Sequence, residues 1–394
     1  MPSPSGWRKL VTSNKSRELV EQVRARCIEQ GIKPDVSAVT EIVRQLLPAS
    51  SHGDLVRLID VVLSEIAGLG PVEGLLLLPR LTDVLVNRFD QVWVDQGEGL
   101  RKTNVAWPSE QAARDFASHL ASLGHRRLDD AHPFVDLQLE NGIRFHAALP
   151  PLAVAGIAMS FRVPSNQQYT LEQLLALGAF SDAIYVKLMQ IVAERKSFII
   201  SGGTGSGKTT LLAAMLSHVD HGHRIVVIED STELNINHPH VVKVQSRLAN
   251  SEGFGQVTMT DLVRQTLRMR PDRIVVGEVR GSEISDLLLA LNTGHNGSAT
   301  TIHADDALSV PTRIEALGLL AGLPRQAIHA QMHCAFDFVI QMQDARLGHR
   351  GVASIAKFVK LVDGTVTTEV ILENSIIEPK GAVAPSKPKI QAVA

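Results

Sequence analysis

Apolar positions between residues 19 and 66 recur every three or four residues. Leu19, Val20, Val23, Cys27 and Ile28 make one stripe, Val39, Ile42, Val43, Leu46 and Leu47 a second, and Leu55, Leu58, Ile59, Val62, Leu63 and Ile66 a third. This spacing places each set on one face of an α-helix. Gly31 stands where the first helix would end, Asp35 suits the N-cap of the second, and Gly68-Leu69-Gly70-Pro71 closes the third. Residues 1–70 are therefore expected to form a helical segment, to which no chemistry is assigned.

From about 71 to 166 the period changes. Val84-Leu85-Val86-Asn87 and Gln91-Val92-Trp93-Val94-Asp95 read as strands on either side of a polar turn, and Ser109 to Leu123 reads as an amphipathic helix. Val135 to Leu139 and Ile143 to Leu149 form a second strand pair around Glu140-Asn141-Gly142. A small α/β domain over 71–166 follows, with Val163-Pro164-Ser165-Asn166 as its linker to the next. Over 167–373, apolar β-branched runs alternate with helical stretches, which implies a mainly parallel sheet covered by helices. Residues 374–394 include Pro379, Pro385 and Pro388 and show no period, so a disordered tail is expected there. The expected fold class is α/β.

Composition narrows the function. The 394 residues carry a net charge of −2, with 44% hydrophobic and 4% aromatic residues. A near-neutral chain with few aromatics lacks the basic field and the stacking platforms of a single-strand binder, so no direct nucleic-acid binding is expected. Cys27 and Cys334 lie far apart and form no Cys-x-x-Cys pair, which excludes a disulfide framework and suits a reducing cytoplasm. The N-terminus is polar and has no apolar run, so no secretory signal is expected. The longest apolar run, Ala147 to Met159, is too short to span a bilayer and contains Pro150-Pro151. Any work at a membrane is expected to be that of a cytoplasmic, peripheral subunit.

The chemistry begins at Gly202-Gly203-Thr204-Gly205-Ser206-Gly207-Lys208-Thr209, which matches G-x-x-x-x-G-K-[ST] at every fixed position. A strand-length run, Ser197 to Ser201, precedes it, and Thr210 to Leu216 reads as the first turns of a helix. The glycines let successive N–H groups converge on phosphate oxygens in front of the helix N-terminus. Lys208 would reach the β- and γ-phosphates of ATP, and the Thr209 hydroxyl would hold Mg²⁺. Two further strands end in acids: Arg224 to Ile228 leads to Glu229-Asp230, with Glu233 close behind, and Arg273 to Gly277 leads to Glu278. Ligands gather at the carboxyl ends of parallel strands. One acid there would orient or deprotonate the attacking water, and the other would help hold Mg²⁺. Gly277 stands where an aspartate that helps bind magnesium is usual, so Glu278 is the first candidate for the base. Glu229 is the second, and also the second candidate for the metal after Thr209. His295 and His303 flank a further strand and suit a γ-phosphate sensor or coupling element better than a metal site, since no third ligand stands at useful spacing.

These motifs resemble the type II/type IV secretion ATPase superfamily, and within it the tight-adherence (Tad or Flp, CpaF-like) pilus assembly ATPases. The resemblance runs over about 55–373. Its first part rests on Gly68-Leu69-Gly70-Pro71-Val72-Glu73, Asp83-Val84-Leu85-Val86-Asn87, Asp129-Asp130-Ala131-His132-Pro133, Asn141-Gly142-Ile143-Arg144 and Leu149-Pro150-Pro151-Leu152-Ala153. In the motor, Glu229 to Glu233 resembles the family's Asp box, and Met269 to Gly281 its degenerate Walker B. Thr293 to Ala304 resembles its His box. The four-cysteine zinc module common in type II secretion and type IVa pilus extension ATPases is absent from a chain with two distant cysteines. The resemblance implies a RecA-like motor preceded by a small α/β domain, a homohexameric ring, and a partner in an inner-membrane platform of a pilus or secretion system. It also implies that basic residues of the N-terminal domain, or of a neighbouring subunit, complete the nucleotide site, with Arg144 and Arg162 standing in the matching segments.

Overall fold

The computed structural model describes residues 69–374 apart from 77, 98, 140–141, 165–166, 251–252 and 344–349. It also describes 36–48 and separate positions within 19–29 and 53–62. The chain divides into two compact units, Met1–Ser165 and Asn166–Ala394.

In the first unit, α1 (Val36–Leu46) realises the second apolar stripe. The described positions of the other two stripes are helical as well. Leu19, Val23, Cys27, Val39, Ile42, Val43, Leu55, Ile59 and Val62 bury together in one small core, so the stripes pack chiefly on one another. Gly31, Asp35 and Gly68, expected at helix ends, lie outside the described residues, as do 375–394.

The rest of this unit is a six-stranded antiparallel sheet. In chain order its strands are β1 (Asp83–Arg88), β2 (Gln91–Asp95), β3 (Leu100–Lys102), β4 (Phe134–Gln138), β5 (Arg144–Ala148) and β6 (Ala158–Arg162). In space they run β3-β2-β1-β6-β5-β4. Alternation sets the register: Val84 and Val86 of β1 and Val92 and Val94 of β2 are buried while their neighbours are not. Over that face lies α2 (Glu110–Leu123), which buries Ala113, Ala117, Leu120 and Ala121. The Ser109 hydroxyl starts it by accepting from Ala112 N–H at 3.1 Å. Small residues on the buried face let the helix lie close to Phe145 and Phe161, whose rings meet at 4.9 Å.

The second unit is an eight-stranded sheet with helices on both faces. Its elements are α3 (Leu171–Ala176), α4 (Asp182–Ala193), β7 (Phe198–Ser201), α5 (Lys208–Leu216), β8 (Ile225–Glu229), β9 (Val241–Gln245), α6 (Met259–Thr266) and β10 (Arg273–Val276). They continue with α7 (Glu283–Leu291), β11 (Ala299–Ile302), α8 (Val310–Leu320), α9 (Arg325–Ala335), β12 (Phe338–Gln343), β13 (Gly351–Lys360) and β14 (Val366–Glu373). The spatial order is β14-β13-β12-β7-β11-β10-β8-β9. Every pairing from β12 through β9 is parallel, and β12-β13-β14 is antiparallel.

The central strands are buried on both faces, which is why they read as unbroken apolar runs. Phe198 and Ile200 point into the core formed with α3, α4 and α5. Ile199 points into the core shared by α6 to α9. Val275 and its neighbours Ile274 and Val276 divide in the same way. At about 1.5–3 kcal/mol per buried side chain, four-residue strands suffice here. Among the described residues no helix is long and apolar enough to cross a membrane.

Candidate nucleotide site

The phosphate loop lies between buried β7 and α5. Gly202, Gly205 and Gly207 have φ of 150°, 74° and 95°, values that side-chain-bearing residues rarely adopt. Gly202 is also sterically obligatory, because a Cβ there would lie 2.9 Å from the Met342 carbonyl oxygen of neighbouring β12. Ser206 is fully buried with its hydroxyl unpartnered among the described residues. Lys208 opens α5, is only 7% exposed, and donates from Nζ to the carbonyls of Gly202 at 3.0 Å and Gly203 at 2.7 Å. Burial lowers its pKa, opposed by the negative charge of Glu278. Thr209 and Thr210 follow in the first turn, half-buried.

Because β8, β10 and β11 run parallel to β7, the residues after each emerge on the edge that carries the loop. Glu278, just beyond β10, accepts from Arg280 Nη2 at 2.5 Å. His303 Nε2, just beyond β11, stands 2.6 Å from Glu278 Oε1, outside hydrogen-bond geometry. Arg280 also donates to Asp230 at 3.2 Å. Burial lowers the His303 pKa, and so do the nearby charges of Lys208, Arg280 and Arg313, while Glu278 opposes them. The edge thus joins the phosphate-loop lysine, one carboxylate, one histidine with a lowered pKa, and the guanidinium of Arg280.

Glu229 and Glu233 behave differently. Glu229 is 4% exposed, and its Oε1 accepts from the backbone N–H groups of Glu233 at 3.0 Å and Leu234 at 2.9 Å. Burial raises its pKa and those two hydrogen bonds pull it back. Its side chain lies over Gly277, where a Cβ would come 2.8 Å from Glu229 Cγ. The glycine in the place of the usual aspartate is what gives Glu229 room to fold back onto its own loop. Glu233 is exposed, with its charge acting on Arg280.

The structure separates the two histidines and corrects the expectation that both face the nucleotide. His295 precedes β11 and His303 follows it, so a whole strand stands between them, about 13 Å at the usual rise. His295 Nδ1 contacts the Ala290 carbonyl at 3.1 Å, at the sheet edge opposite the phosphate loop. There it neighbours Gly297, whose carbonyl accepts from the buried Arg273 at 3.1 Å.

Arg144 and Arg162 belong to the first unit. They are register partners on β5 and β6, side by side across the sheet, and Arg162 Nε donates to Asp83 at 3.2 Å. Like charges directly opposite on adjacent strands are unfavourable unless an acid or a bound anion shares them.

Sequence reasoning missed the polar supports. Buried Gln341 on β12 accepts from Ser201 Oγ at 2.6 Å and donates to the Asp305 carbonyl at 3.2 Å, tying the ends of β7, β11 and β12 together. Glu283 accepts from Arg280 N–H at 2.6 Å and Gly281 N–H at 2.8 Å, fixing the loop that carries Glu278 and Arg280. A glutamine inside an apolar strand was the available signal for the first, and an acid at the start of α7 for the second.

The sequence model for type II/IV secretion system proteins matches residues 65–348. The chain belongs to that family. With the phosphate loop in place, it is an ATPase of the secretion type. A Mycobacterium tuberculosis protein named "Putative conjugal transfer protein" is 49% identical over 302 residues, covering 75% of this secretion ATPase and 86% of that protein. The conjugal transfer protein TrbB of Rhizobium radiobacter is 30% identical over 275 residues, covering 68% and 81% respectively. Among solved structures, that of the pilus retraction motor PilT with bound ADP aligns with a TM-score of 0.48 at 18% identity, over 75% of this chain and 80% of that one.

Proposed function

We propose that this secretion ATPase is a ring-forming motor that converts ATP hydrolysis into movement of its two units, driving pilus assembly or protein export through a membrane platform. The observation that carries the reading is the convergence of Lys208, Glu278 and His303 on one sheet edge. In the proposed cycle the phosphate-loop N–H groups take the β-phosphate, and Lys208 leaves the Gly202 and Gly203 carbonyls for the β- and γ-oxygens. Glu278 accepts the proton of the attacking water, Arg280 holds that carboxylate in place, and His303 reports the γ-phosphate. The donor set suits Mg²⁺, which keeps several waters and takes few protein oxygens. The Thr209 hydroxyl would hold it, and it would neutralise charge on the phosphate oxygens. Glu229 supports the site by organising the 229–234 loop, and Glu233 adds its negative charge near Arg280.

Arg144 and Arg162 are proposed to bring positive charge to the γ-phosphate from the first unit. The homohexamer, the platform partner and the position at the inner face of the cytoplasmic membrane belong to the same proposal. So does the tight-adherence branch, supported by the residue patterns at 68–73, 83–87 and 129–153.

The test is steady-state ATP hydrolysis beside particle size, for the parent and Glu278→Gln. A ring-sized particle whose hydrolysis drops by at least a hundredfold in the variant, with ATP affinity retained, is expected. Parent-rate hydrolysis by Glu278→Gln would remove the assigned base.

A further inference from the structure

The loop between β12 and β13 brings one more cation to the phosphate loop. Arg350 is the residue before β13, and its guanidinium lies against Gly207: a Cβ on that glycine would be 3.3 Å from Arg350 Nε and 3.5 Å from Nη2. Its backbone position is firmly set. Gly351 is pressed so closely on the Ala179 carbonyl that no side chain could stand there, and Val352 N–H donates to the same oxygen at 2.9 Å. The side chain itself is exposed, and among the described residues it has no hydrogen bond or ion pair.

That placement is electrostatically wrong for a protein without ligand. Gly207 is the N-cap of α5, the positive end of the helix dipole, where anions are favoured and cations are not. Lys208 already adds a buried positive charge at the next residue. A second, independent sign of a ligand is the fully buried and unpartnered hydroxyl of Ser206 in the same loop. An anion lying along the loop would attract the helix N-terminus, Lys208 and Arg350 at once and so offset their mutual repulsion.

We infer that Arg350 is a further nucleotide-binding residue, holding the phosphate chain from the β12 side of the loop. This rests on the ATPase reading and adds a ligand contact to it. Strand order decides which phosphates it meets. Glu278 and His303 flank β7 on the β11 and β10 side, where the γ-phosphate would be attacked. Arg350 and Met342 flank it on the β12 side. Arg350 therefore serves the phosphates that ATP and ADP share, and it couples the β12–β13–β14 end of the sheet to nucleotide occupancy.

The experiment titrates the full chain with ADP and with ATP–Mg²⁺ by calorimetry at fixed ionic strength, for the parent, Arg350→Gln, Arg350→Lys and Lys208→Ala. Arg350→Gln should raise Kd about tenfold for both nucleotides, the loss of one charge-assisted contact. Arg350→Lys should recover part of it, and melting without nucleotide should not fall. If Lys208→Ala loses binding while Arg350→Gln binds ADP like the parent, this inference is overturned and the ATPase reading stands. A parent that binds neither nucleotide overturns both. A fall in melting temperature without nucleotide that matches the affinity loss would make Arg350 a structural residue and likewise overturn it.

Discussion

Replacing Gly277 by alanine tests the arrangement of Glu229 most directly. The backbone at 277 does not demand glycine, since its φ lies outside the positive region that holds fifteen other glycines among the described residues. What excludes a methyl group is the carboxylate above it, 2.8 Å away at Cγ and 3.2 Å at Oε1. To relieve that contact Glu229 must swing off its own loop and abandon the N–H groups of Glu233 and Leu234. Each hydrogen bond to an ionised group contributes about 1.5–3 kcal/mol, and overpacking a filled site costs about 1–3 kcal/mol. Because partial relaxation relieves one at the expense of the other, these do not simply add. The expected loss is about 2–4 kcal/mol in the unfolding of the second unit, followed by urea titration of the full chain. Glu229→Ala removes the obstacle, so the double variant should be less destabilised than the sum of the singles by about 1–2 kcal/mol. A Gly277→Ala midpoint equal to the parent's, or strictly additive singles, would refute the account.

Two further expectations concern the same edge. His303 has its pKa depressed by burial and by Lys208, Arg280 and Arg313, against the pull of Glu278. It is therefore neutral at pH 7, and kcat should be insensitive to it between pH 7 and 8, falling only below its ordinary value of about 6.5. The sign for stability agrees: the penalty is absent above pH 6.5 and grows as pH drops from there toward the lower folded-state value. His303→Gln should remove the acid limb of the pH–rate profile, and an unchanged limb would assign it to another group. Gln341→Leu should leave Ser201 Oγ and the Asp305 carbonyl without a partner, at about 1–3 kcal/mol for each group. Denaturant titration should show it, and parent-like stability would mean the three strand ends do not depend on that side chain.

Much of this fold was legible because period follows burial. The helical stripes at 19–66 and the doubly buried strands at Ile225–Ile228 and Ile274–Val276 declare their surroundings by which positions are apolar. The phosphate loop was legible because three of its glycines meet a backbone requirement that few other residues satisfy. What failed to show was the direction of side chains. Glu229 and Glu278 both follow strands toward the same edge, but only the packing of Glu229 over Gly277 turns one carboxylate inward. His295 and His303 stand close in sequence, yet the strand between them sends them to opposite edges. Arg350 gave no signal at all, since its contact with Gly207 exists only once β12 pairs with β7.

The strand order also fixes a distance. β11 is inserted between β7 and β10, so the chain end bearing Lys208 and the chain end bearing Glu278 emerge two strand spacings apart, about 9.5 Å at the sheet. The inserted strand acts as a spacer between the loop that follows β7 and the loop that follows β10. The separation of the two loops is held by backbone hydrogen bonding rather than by any side chain that mutation could shorten.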